Sequence, residues 1–93
     1  MRLLLIDDDE QLREPLQRYL TTQFRYQVHA VASGIEAIER VSDRSNVYDV
    51  ALCYEVLAEG PDGIETMRQL RILHPDLEVI VFTGWGPKSR QQA

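Results

Sequence analysis

The sequence predicts an α/β fold of three layers, α/β/α, built on a parallel sheet of strand order 2-1-3-4. Short continuous apolar runs read as strands covered on both faces, and apolar stripes at helical spacing separate one run from the next. Strand and helix alternate three times before a last strand, which demands parallel pairing through right-handed crossovers. The continuous runs belong to strands one, three and four, whereas strand two is amphipathic. Strands one and three therefore lie inside the sheet and strand two at an edge.

Leu3-Leu4-Leu5-Ile6 is the first run, and Asp7-Asp8-Asp9 ends it abruptly. Leu12, Leu16, Tyr19 and Leu20 predict a helix over 9–22, with Asp8 and Gln11 in capping-box relation at its start. Pro15 falls inside that helix, where it removes a backbone donor and costs stability or bends the segment. Tyr26, Val28 and Ala30 alternate with Gln27 and His29, the pattern of a half-exposed second strand. Ser33 and Glu36 bracket a capping box ahead of Ile35, Ile38 and Val41, which start the second helix. Val50-Ala51-Leu52-Cys53 is the third strand, followed by a loop from Leu57 to Pro61. Asp62 caps a third helix whose stripe is Ile64, Met67, Leu70 and Leu73, and Pro75 stops it near His74. Val79-Ile80-Val81-Phe82 is the fourth strand, and Thr83-Gly84-Trp85-Gly86-Pro87 the loop after it.

At 93 residues, 1–93 make one domain with a thin stability margin. The 44% apolar and 27% charged content is that of an ordered globular chain rather than a disordered tail. Fifteen acids against ten bases leave a net charge of -5, which repels the phosphate backbone and argues against direct nucleic-acid binding. A single cysteine, Cys53, excludes an intrachain disulfide. The first apolar run is too short to span a membrane and unlike a signal peptide, so the expected compartment is the cytoplasm.

In open parallel sheets the functional crevice lies beyond the strands' carboxyl ends, where the strand order reverses, here between strands one and three. Asp7 and Asp8 follow strand one, Tyr54 and Glu55 follow strand three, and Thr83 follows strand four. Carboxylates presented together by short loops suit a hard divalent cation such as Mg²⁺, held weakly with several waters. Each residue also has a plainer reading. Acids cap helix starts, a hydroxyl at a strand end satisfies a local amide, and Trp85 packs on the core or anchors a partner. His29 and His74 lack ligand spacing and read as surface residues.

Four segments in order, Leu3 to Asp9, Tyr48 to Leu52, Pro61 to Glu65 and Val79 to Gly84, resemble bacterial response-regulator receiver domains, which have a flavodoxin-like fold. The resemblance covers the whole chain and reaches about three quarters of a receiver, which continues through a further helix, a fifth strand and a last helix. It implies a histidine kinase as phosphoryl donor, Mg²⁺ held at Asp7 and Asp8, and Thr83 with Gly84 as the switch that contacts the phosphoryl group. It also implies an output domain or other signalling protein as partner, and no enzymatic activity of its own.

Two departures stand against ordinary phosphotransfer. Counted forward from Tyr48-Asp49, the phosphoacceptor position is Tyr54; counted backward from Asp62-Gly63, it is Glu55. We prefer Tyr54, because an insertion is tolerated in a loop while in a strand it flips every side chain. A phenol forms no acyl phosphate. Ala58 stands in place of the proline that usually follows this strand. The family's lysine after strand five has no counterpart here, Lys88 lying in a different loop, and strand four would present an apolar edge open to homo-oligomer pairing.

The expected function is thus a signalling module acting through protein partners with phosphotransfer impaired. One alternative is a working phosphoacceptor that uses Glu55 or a neighbouring acid. A nucleotide- or flavin-binding protein is a further one, weakened by an acidic first loop that contains no glycine.

Overall fold

The computed structural model describes residues 1–83. Its elements are β1 (Arg2–Ile6), α1 (Glu10–Phe24), β2 (Gln27–Val31), α2 (Gly34–Ser42), β3 (Val50–Tyr54), α3 (Gly63–Leu73) and β4 (Glu78–Phe82). The four strands are parallel in the order β2-β1-β3-β4, as the sequence predicts.

Register decides which side chains share a face. Leu4 pairs with Ala51, and Ala51 with Val79; all three are buried, on the side where the two helices α2 and α3 pack together. On the opposite face Leu5, Leu52 and Ile80 lie in one row, and their cover thins along it. Leu5 is fully buried, Leu52 half-buried, and Ile80 46% exposed. Helix α1 packs on β1 and β2 and stops short of β4, so none of its residues is fully buried.

The helix starts follow local chemistry. Ser33 accepts from the Glu36 amide and Glu36 reaches back to the Ala32 amide, while Asp62 accepts from the Glu65 amide. For α1 the cap is Asp9, not Asp8, and it accepts from the Gln11 amide at 3.0 Å. Helix α1 runs through Pro15, which is exposed. Its C-cap, Arg25, adopts a left-handed conformation (φ 58°) and donates its amide to the Leu20 carbonyl.

His29 is half-buried rather than fully exposed. Its Nδ1 lies 2.8 Å from the hydroxyl of buried Tyr48, whose ring also carries the Arg2 guanidinium. Alternation alone puts it on the polar face of β2, but Tyr48, just ahead of β3, folds over that face. His74 is half-buried, capping the end of α3.

Candidate functional site

Three consecutive acids do three different things. Asp7 continues the sheet, its amide donating to the Val31 carbonyl at 3.2 Å, and its side chain is 1% exposed. Its Oδ1 accepts from the Asp9 amide at 3.0 Å, and its carbonyl accepts from Arg13 Nη1 at 2.8 Å. Asp8 turns toward the β3–α3 loop, where its Oδ2 accepts from the Ala58 amide at 2.9 Å. Asp9 caps α1.

Ile6 pairs with Cys53, so the next positions along the two strands are Asp7 and Tyr54. Tyr54 ends β3 opposite Phe82, is 2% exposed, and packs its ring on Phe82 at 5.2 Å between centroids. Glu55 begins the loop, donating its amide to the Phe82 carbonyl at 2.9 Å and accepting from the Gly63 amide at 2.8 Å. Thr83 follows β4 and is exposed. Gly84 and Trp85, expected at the switch and partner surface, and Lys88 fall outside the described residues.

These residues do not all meet in one cavity. Asp7, Tyr54 and Thr83 line a groove of about 590 Å³ whose walls are otherwise apolar, formed by Leu12, Pro15, Leu16, Tyr19 and Phe82. Asp8 instead faces a separate hollow with Ser33, Glu36, Ala58 and Glu59. Asp7 thus shares a groove with Tyr54 and Thr83, while Asp8 shares a second hollow with Ala58 and Glu59 of the loop after β3. The Ala58 amide holds Asp8 there, a donor that exists because residue 58 is not a proline. Arg13, which anchors the Asp7 carbonyl, was missed, although it lies one turn into α1 beside the acids.

The region is electronegative. Cys53, fully buried one residue before Tyr54, has its thiol pushed up to about 12, first by burial and then by the charges of Asp62 and Asp7. Two adjacent carboxylates are the kind of donors Mg²⁺ accepts alongside waters. Among the described residues, however, no group of three or more His, Cys, Asp or Glu side chains gathers to hold a metal. The donors thus suit the ion in type.

Comparison with known proteins decides the family: a profile described as "Response regulator receiver domain" matches residues 3–93. The chain belongs to the response regulator receiver family. This receiver is 39% identical over 94 residues to the response regulator MprA of Mycobacterium avium (strain 104), and 40% identical to that of Mycobacterium leprae (strain TN). The match covers all of this chain but 39% of each relative, so the receiver spans about two fifths of their length. Among solved structures it superposes on a response regulator receiver protein from Sinorhizobium medicae WSM419, with a TM-score of 0.80 and 25% identity, covering 99% of this chain and 73% of that one. TrrA from Thermotoga maritima, determined in complex with Mg²⁺-BeF, gives a TM-score of 0.79 at 26% identity, covering 97% of this chain and 74% of its own. The four-stranded sheet and three helices are those of the flavodoxin-like receiver fold, a module of two-component signalling. Among the described residues, no helix is long and apolar enough to cross a membrane.

Proposed function

We propose that this receiver is a two-component signalling module that acts by binding partner proteins, with phosphotransfer impaired. The observation that carries the reading is Tyr54. It follows Cys53 in register beside Asp7, its side chain is buried in the groove that Asp7 lines, and a phenol offers no carboxylate for an acyl phosphate.

Asp7 and Asp8 are the residues that would hold Mg²⁺, weakly, and the cation would supply neutralisation of phosphoryl oxygens. Thr83 and Gly84 form the switch, and Trp85 belongs to the partner surface. The partner is a histidine kinase, an output domain or another signalling protein, in the cytoplasm. Direct nucleic-acid contact by this domain is disfavoured by its net charge of -5. The half-open row ending at Ile80, at the β4 edge, is a further route to self-association.

The test is incubation with acetyl phosphate and Mg²⁺ followed by intact mass measurement. The expected result is an unchanged mass. An added phosphoryl group mapped to this chain overturns the reading, and its mapping to Glu55 would instead support a working receiver with a displaced acceptor.

A further inference from the structure

The hydrogen bond between Ala58 and Asp8 joins segments fifty residues apart in sequence, at 2.9 Å. Ala58 occupies the position where the receiver resemblance places a proline. A proline has no amide hydrogen, so a chain carrying one there could not make this bond. Asp8 lines a hollow with Ser33, Glu36, Ala58 and Glu59, and Asp7 lines a groove with Tyr54. Both ends of the loop are fixed as well: Glu55 bonds to Phe82 and Gly63, and Leu57 is buried.

We propose that the Ala58 amide is a positioning group that holds the Asp8 carboxylate against the loop after β3 and competes with a divalent cation for it. A backbone N–H on a carboxylate oxygen is a charge-assisted bond, and it supplies part of the electrostatic satisfaction that a cation would otherwise bring. Mg²⁺ demands near-ideal geometry and gives up its waters reluctantly, so it gains little from a carboxylate held toward another element. The inference rests on reading Asp7 and Asp8 as the cation site, and it explains why that site is weak.

Two measurements separate this inference from the reading beneath it. The first uses no metal. Amide hydrogen exchange at Ala58 is expected to be slow in the wild-type protein and about tenfold faster in Asp8→Ala, which removes the acceptor. Equal exchange in the two proteins overturns the inference. The second is a Mg²⁺ titration followed by thermal unfolding and amide chemical shifts, comparing wild type with Ala58→Pro. Ala58→Pro is expected to bind Mg²⁺ about tenfold more tightly, and adding Asp8→Asn is expected to abolish that gain. Equal affinity in wild type and Ala58→Pro overturns the inference with the cation site intact. Binding by neither overturns the cation site itself and the inference with it. Should Ala58→Pro fail to fold, deletion of Glu59, which shortens the loop and withdraws the amide, is expected to tighten Mg²⁺ binding in the same way.

Discussion

The Tyr54 ring lies against that of Phe82, with centroids 5.2 Å apart and planes tilted by 47°, and both rings wall the groove that Asp7 also lines. An aromatic pair therefore stands where this sheet rim meets its buried acid. Replacing Tyr54 by Asp removes a buried aromatic and sets a second carboxylate beside Asp7, with an expected loss of about 3 to 5 kcal/mol. Saturating Mg²⁺ is expected to return part of that loss in urea titrations. A Tyr54→Asp protein as stable as wild type and indifferent to Mg²⁺ would contradict the packing described here.

Gly63 opens α3 directly against the end of β3, and a Cβ there would collide with the Tyr54 carbonyl and the Glu55 backbone. Backbone cannot swing aside, so Gly63→Ala is expected to cost about 2 to 3 kcal/mol. At Gly34 the closest obstacles are side-chain atoms, the buried Thr66 hydroxyl and Pro61 Cγ, which can shift more readily than the backbone that crowds Gly63. Gly34→Ala is therefore expected to cost less. Denaturation midpoints of the two variants give the ranking, and the reverse order would contradict it.

His29 is held below its ordinary value of 6.5 by burial first, then by the charges of Arg2 and Arg40. Folding thus disfavours a proton that the unfolded chain accepts. The stability associated with neutral His29 is complete above 6.5 and declines as pH falls below it toward the depressed folded value. Unfolding free energy measured across that window is expected to fall with acidification, and His29→Gln is expected to flatten the slope. An identical slope in the variant would assign the effect to other groups.

Cys53 is fully buried, and its thiol is raised to about 12. The thiolate is the reactive form, so the folded protein resists thiol reagents. Labelling is expected only as fast as the domain opens, and it becomes rapid in denaturant. Prompt labelling of the native protein would mean that the sheet interior is not closed as described.

Ile80 is 46% exposed on the thinly covered face of the edge strand β4. A lysine on such an edge opposes strand pairing between chains. Ile80→Lys is expected to lower self-association in sedimentation experiments while leaving the thermal midpoint nearly unchanged. Self-association undiminished in the variant would place any interface elsewhere.

The sequence by itself determined the strands, the helices and their order, because periodicity and capping act over a few residues. Leu3 to Ile6, Ser33 with Glu36, and Asp62 with Glu65 each carry their own instruction. It also brought Asp7, Tyr54 and Thr83 to one rim, since parallel strands that share a register must end together. Only the tertiary structure decided that Asp8 bonds the Ala58 amide, that Asp9 rather than Asp8 caps α1, and that His29 is sheltered by Tyr48. Each of these depends on contacts between segments far apart in sequence, or on how a short run of equivalent acids is divided among competing amides. Local pattern holds no information about either, because their energies exist only once the sheet has assembled.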